Sequence, residues 1–352
     1  MNLRYRVSLV FGLTCFALLG VFVIAVGLGA VAVSPGQIAD VLLLELGVAV
    51  EPGLVDPLRQ AVITEIRLPR VALGALVGAG LGIAGALMQG IFRNPLADPG
   101  LIGVSSGAAL AASIFIVLGH KIVPTLGPWA EHVGTSVAAF VGSLLVTYLV
   151  WRMGTVNHRI SVGRLLLGGV AINALVGAVI GLLTLIASDT QLRDLTFWSL
   201  GSLNGATWRN VGTAALGILP VMLVAPRLAQ ALDAWLLGEA EARHLGVDVM
   251  RLKRIAVGTT ALAVGASVAV AGMIGFIGLV IPHLVRLALG PGHRLLLPGS
   301  ALLGALLLVA SDVLARTVVI PIEVPIGIVT ALGGAPFFLL LLYRSGQGNL
   351  SL

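Results

Sequence analysis

Runs of about twenty apolar residues, separated by short polar breaks, fill most of the chain. A bilayer core about 30 Å thick is crossed by a helix of roughly 20 apolar residues, so each run reads as a crossing. The pattern predicts ten, over residues 8–33, 68–92, 99–118, 134–152, 163–187, 210–226, 253–272, 273–289, 296–317 and 323–343. The expected fold class is an all-α polytopic membrane protein. Arg4 and Arg6 followed by the apolar run Val7–Val33 resemble a signal peptide. That run is far longer than the roughly 7–15 residues of a signal core, so it is expected to be a retained first crossing. One stretch breaks the pattern. LLGEAEARHLGVDV, Leu236–Val249, carries three acids, one Arg and one His in an otherwise apolar neighbourhood. Leu237, Glu241 and Leu245 are spaced by four, as are Gly238, Ala242 and Gly246. This predicts a short helix with a small apolar face and a charged face, ended by Gly246, since Gly adopts left-handed backbone freely. It is either a solvated loop helix or a knob that docks in a cleft of another protein.

Composition excludes a soluble domain. Of 352 residues 58% are apolar and 10% charged, with a mean hydropathy of +1.07, where soluble domains have about 25% charged residues. The single cysteine, Cys15, excludes an intramolecular disulfide and a Cys-based zinc site. A net charge of +6 reflects cytoplasmic loops rich in Lys and Arg; no basic patch carries a nucleic-acid motif. Ten crossings put both termini on one side. With that side cytoplasmic, it holds about two-thirds of the 21 Lys and Arg and about one-third of the 15 acids, as the positive-inside rule requires. The segment 228–250, with the charged island, then faces the cytoplasm. A weak internal repeat lays Val77–Pro95 on Val264–Pro282 at a constant offset of 187. The two copies run in opposite directions, the pattern of inverted-topology repeats in transporters. The expected organisation is one transmembrane domain, 1–352, with repeat halves at about 68–187 and 253–343.

Few residues offer chemistry. GLGIAG, Gly80–Gly85, satisfies GxGxxG but lacks the strand and βαβ unit of a dinucleotide site. Gly74, Gly78 and Gly82 are spaced by four, which lets helix backbones approach closely. No GxxxxGK[ST] occurs, so any ATP used must be bound by another subunit. No HExxH or nucleophile elbow is present, and the six His are scattered, which gives no basis for an enzyme. RLPR, Arg67–Arg70, starts the second crossing on the outer side, with Arg316 at the outer end of the ninth. These arginines either snorkel to the interface or offer bidentate pairing to an acidic partner. FRNPLADPG, Phe92–Gly100, is either an inner loop or part of a pathway wall, because Pro-interrupted backbone at membrane depth must be enclosed by protein or line a cavity. SDTQLRDLTFWSLGS, Ser188–Ser202, reads as an interfacial segment in which Arg193 can meet an anionic ligand. Almost no ionisable residue lies deep inside a crossing, which weighs against an ion-coupled secondary transporter, the rival from another class.

LPRVALGALVGAGLGIAGALMQGIFRNPLADPGLIGVSSGAAL, GFIGLVIPHLVRLALGPGHRLLLPGSALLGALLLVASDVLAR and PIGIVTALGGAPFFLLLLYR resemble the permease subunits of type II ABC importers, from about Arg67 to Arg344. The resemblance implies a ten-helix subunit of a bacterial inner-membrane importer, working as a homodimer with a pathway at the dimer interface. Two ATPase subunits, which bind ATP and Mg, attach on the cytoplasmic side, and a periplasmic binding protein docks outside. The chain itself is expected to hold no cofactor. The resemblance assigns ATPase coupling to Leu237, Gly238, Glu239, Ala242, Arg243, Leu245 and Gly246, and binding-protein docking to Arg67, Arg70 and Arg316. It places the inner gate at Asn94 and Leu96, with a looser match at Ser161 and Val162. The texture of the second-crossing motif and of QLRDLTFWSLGSLNGA is closest to haem permeases; Arg193 would meet propionates. Ferric siderophores and cobalamin are the alternative substrates.

Overall fold

The computed structural model describes residues 3–29, 33–48, 56–127, 129–156, 159–319 and 321–345. His158, one of the six scattered histidines, lies outside the described residues. The helices are α1 (Leu3–Gly27), α2 (Pro35–Glu45), α3 (Pro57–Ala61), α4 (Leu68–Phe92), α5 (Val104–Leu126), α6 (Trp129–Gly154), α7 (Val162–Ile186), α8 (Asp189–Leu200), α9 (Trp208–Val224), α10 (Ala229–Leu236), α11 (Glu239–His244), α12 (Val249–Ala271), α13 (Ile277–Leu289), α14 (His293–Thr317) and α15 (Ile326–Ser345). A π-helical segment, Val62–Arg67, joins α3 to α4, and a 3-10 turn, Pro99–Ile102, precedes α5. A small antiparallel hairpin, Thr155–Val156 with Arg159–Ile160, links α6 to α7. Among the described residues seven helices are long and apolar enough to cross a membrane. Shorter apolar helices at Val104–Gly119, Ile277–Leu289 and Ile326–Leu340 match the other three expected crossings.

Helix α4 is the axis of the molecule, and its composition explains why. A Cβ on Gly78 would sit 2.2 Å from the Gly304 carbonyl oxygen, and one on Gly82 would sit 2.2 Å from that of Ser300. The glycines spaced by four therefore bring the α4 and α14 backbones into contact, as their spacing predicts. α9, α12 and α13 pack around the rest of α4. α1 and α7 keep long apolar faces exposed, including Phe16 and Leu19 on α1 and Leu167, Leu182 and Leu185 on α7. In a membrane protein such faces meet lipid or another subunit.

Two expectations change. The eighth crossing, 273–289, is a helix of only 13 residues, about 20 Å long at 1.5 Å per residue and too short for a 30 Å core. Gly272–Phe276 ahead of it is non-helical, and Phe276 takes a left-handed φ of 67°. Its neighbouring backbone is bonded inside the protein, Ser202 N–H donating to the Ala271 carbonyl at 2.8 Å and Ile277 N–H to that of Gly275 at 2.9 Å. Irregular backbone is tolerated at depth on those terms. The matched repeat stretch also folds differently in its two copies. Val77–Phe92 is continuous helix, whereas the second copy breaks at Gly272, and Pro95 lies in a turn where Pro282 lies within α13.

α2 is an element that hydropathy alone does not announce. Ser34 and Gln37 form a reciprocal capping box at its start, and Pro35 occupies the first turn.

Candidate functional site

Two clusters of charge mark opposite ends of the α4–α14 pair. At one end, α10 and α11 carry the charged island. α10 is tied down by Trp235, whose indole N–H donates to the Ile91 carbonyl at 3.0 Å, and by Asp233, which accepts from the backbone N–H of His293 at 3.0 Å. Gly238, with φ of 132°, turns the chain into α11. α11 ends as its sequence predicts. Gly246 has φ of 81°, its N–H donates to the Arg243 carbonyl at 2.9 Å, and the Val247 N–H donates to that of Ala242 at 2.9 Å. This pair of bonds is a Schellman motif. Asp248 then caps α12 by accepting from the Arg251 N–H at 2.9 Å.

The faces of the island differ from expectation. Ala242 is fully buried, at 0% exposure, against the protein's own helices. Its small size seats the island on its own body and offers nothing to an outside cleft. Leu237 and Leu245, 66% and 64% exposed, project outward. Glu239 and Arg243, one turn apart, pair with each other. The outer surface thus carries two apolar knobs beside this ion pair, with Glu241 and His244 exposed alongside.

At the other end Arg67, Arg70 and Arg316 are brought together, as expected, but they do not project free charge. Arg67 is 5% exposed and donates to the Val26 and Gly27 carbonyls at the end of α1. Arg316 donates to Ala25 and Leu28 of the same helix end. Cations placed on the last carbonyls of a helix satisfy orphan acceptors and oppose its dipole. Arg70 donates to Asp312 at 2.9–3.1 Å and to Glu323 at 3.0 Å. The acids that Arg70 and Arg316 were expected to find on a partner are first found in their own chain. Burial drives this, because a guanidinium at the edge of the apolar layer must be paired internally. Asp312 and Glu323 escape sequence reasoning because they lie about 240 and 250 residues from Arg70 along the chain.

The segment expected at the inner gate is a tight, self-bonded turn. Arg93 adopts a left-handed φ of 49° at the end of α4. Asn94 Oδ1 accepts from the Leu96 N–H at 2.9 Å, an Asx turn. Asp98 Oδ1 accepts from the Gly100 N–H at 2.7 Å and caps the 3-10 turn. Burial pushes the Asp98 carboxyl above its ordinary pKa, partly offset by that N–H. Asp98, Gly100 and Ser105 face Met273 and Gly275 across a cavity of about 180 Å³, so this turn adjoins the broken segment before α13. Ser161 caps α7 by accepting from the Arg164 N–H at 3.4 Å, and Val162 is the first residue of that helix. Arg193 lies exposed on α8, a helix begun by a Ser188–Gln191 capping box.

Comparison with known proteins agrees with this architecture. Residues 17–344 match the FecCD transport family. The hemin transport system permease of Yersinia pestis is 48% identical over 282 residues, 80% of this chain and 83% of that protein. The cobalamin import system permease of Halobacterium salinarum is 45% identical over 287 residues, 80% of this chain and 73% of that protein. A solved structure described as an inward-facing conformation of a metal-chelate type ABC transporter superposes with a TM-score of 0.82 at 32% identity, covering 96% of this chain and 99% of that one. The family match over residues 17–344, the relatives at 45–48% identity and the shared fold agree, and the chain belongs to the FecCD transport family of ABC importer permeases.

Proposed function

We propose that the chain is the haem permease of an ATP-driven importer in the bacterial inner membrane, with both termini cytoplasmic. It works as a homodimer, with two ATPase subunits at the island end and a periplasmic binding protein at the arginine end. The observation that carries the substrate is the 48% identity to the hemin permease of Yersinia pestis across most of both chains. Cobalamin is the second reading, supported by the 45% identity to the halobacterial cobalamin permease. Exposed Arg193 suits the carboxylates of haem, since Arg pairs bidentately with them.

In this reading Leu237 and Leu245 enter a cleft of the ATPase subunit, and Gly238, Ala242 and Gly246 hold α11 in shape behind them. ATP-driven closure of those subunits moves the island. The turn at Asn94 and Leu96 and the start of α7 at Ser161 and Val162 open and close the pathway. At the other end a binding-protein carboxylate displaces Glu323 from Arg70, while Arg67 and Arg316 keep α1 in place. The chain contributes no catalytic residue; ATP and Mg belong to the partner subunits. The test is uptake into vesicles holding the assembled transporter and its binding protein, with haem, a ferric siderophore and cobalamin offered separately. Haem uptake that requires internal ATP is expected. Transport of cobalamin alone rejects the haem assignment. Uptake that needs no ATPase subunit and collapses with a proton uncoupler rejects the importer itself.

A further inference from the structure

Lys253 stands out among the charged groups that the island's surface does not use. It lies in the first turns of α12 and is 4% exposed. Its Nζ is 3.6 Å from Glu239 Oε2 on α11, donates to the Ile160 carbonyl at 3.3 Å, and lies 4.2 Å from the centre of the Trp235 ring. These three partners come from three different places. Glu239 opens α11 in the island. Ile160 immediately precedes Ser161, the cap of α7. Trp235, 2% exposed, belongs to α10. The same indole ring carries a second cation, with Arg93 Cζ 4.8 Å from its centre. Arg93 immediately precedes Asn94 and holds the left-handed φ that turns the chain out of α4. One ring and one ammonium therefore touch the island, the turn after α4 and the start of α7 together.

We infer that Trp235 and Lys253 form a joint through which the position of the island is transmitted to both the Asn94–Leu96 turn and the Ser161–Val162 segment. The inference rests on the importer reading for its purpose, but not for its geometry. A buried ammonium is costly unless paired, so it holds its partners together as a set. A cation over an aromatic face is stronger when desolvated, and Trp gives the best face. Moving α11 shifts Glu239, which leaves Lys253 short of charge compensation unless Ile160 and the ring follow. Moving α10 shifts the ring on which Arg93 rests. Packed elements joined in this way pass between discrete arrangements and do not deform smoothly. Lys253 and Trp235 are positioning residues in this scheme, since neither lies in the proposed pathway.

The test measures the link directly in the purified permease. Cys15→Ser supplies a background in which Leu245→Cys and Arg164→Cys carry spin labels, one on the island and one at the start of α7. With the labelled permease diluted into excess unlabelled permease, so that only pairs within one chain are read, a single narrow distance distribution is expected. Lys253→Met is expected to broaden it about twofold, Trp235→Leu likewise, and Lys253→Arg to keep it narrow. Trp235→Phe keeps the aromatic face but loses the bond to the Ile91 carbonyl, and is expected to broaden it less than Trp235→Leu. A distribution as narrow in Lys253→Met as in its parent overturns the joint. In the assembled transporter, Lys253→Met is expected to keep ATPase activity within about threefold while uptake per ATP falls about tenfold or more. ATPase and uptake falling together, at constant ratio, would also overturn it. ATP-independent uptake by the unmodified chain removes the importer reading, whereas the distance comparison decides the joint by itself.

Discussion

Ala242 and its neighbours show how much one position on a six-residue helix decides. Ala242 is enclosed, while Leu237 and Leu245 stand out. Ala242→Leu inserts three carbons where none fit, and overpacking of this kind costs about 1–3 kcal/mol. It is expected to lower the melting temperature of the detergent-solubilised protein. Leu237→Ala with Leu245→Ala is expected to leave that temperature within about a degree, because exposed side chains contribute little to stability. The same pair is expected to reduce co-purification of the ATPase subunits. The opposite pattern would show that the buried face, not the exposed one, meets the partner. Asp98 supplies a pH-dependent case. Its carboxyl titrates higher in the folded chain than the roughly 3.9 of an unfolded Asp. The folded state therefore binds the extra proton, and stability falls as pH rises from the unfolded value through the raised one. Asp98→Asn keeps an acceptor for the Gly100 N–H and removes the titration. Its melting temperature relative to the parent is expected to rise from pH 4 to pH 7; a constant difference would contradict the sign.

Among elements, the end of α1 and the start of α4 depend on each other. Arg67 and Arg316 supply donors to four carbonyls, those of Ala25, Val26, Gly27 and Leu28. Hydrogen bonds to charged groups contribute about 1.5–3 kcal/mol each. Arg316→Met, which keeps much of the apolar stem, is expected to raise hydrogen exchange at residues 20–29 without changing exchange in α12. Charge reversal of the three arginines would loosen α1 as well as any docking, so it cannot separate the two. Glu323→Gln does so more cleanly. It frees one side of Arg70 while Asp312 still compensates the other. Binding-protein affinity is expected to rise, with a larger gain at low ionic strength, where exposed charges are less screened. Unchanged or weaker affinity at low salt rejects carboxylate exchange at this site.

At the scale of the whole molecule, large apolar surfaces stay uncovered among the described residues. α1 and α7 leave large side chains uncovered on faces that one chain does not close. The proposed homodimer would cover part of that surface, and closed two-fold assembly is the commonest arrangement for identical chains. The detergent-corrected mass of the purified permease is expected to be twice the 36.0 kDa of one chain; a monomer at all micromolar concentrations would reject the dimer.

Much of this protein could be read without coordinates. The crossings, the close packing of Gly78 and Gly82, and the short helix ended by Gly246 all follow from local patterns. Hydropathy, small-residue spacing and helix-stop chemistry act over neighbouring residues, and the chain states them directly. The tertiary structure decided where charges go. Arg70 finds Asp312 and Glu323, Arg67 and Arg316 find the end of α1, and Lys253 finds Glu239, Ile160 and Trp235. It also decided that Ala242 faces inward and that the eighth crossing is cut short. The physical reason is the same throughout. A run of apolar residues needs only the bilayer to place it, whereas a buried charge or a small residue gets its role from whatever the fold brings against it.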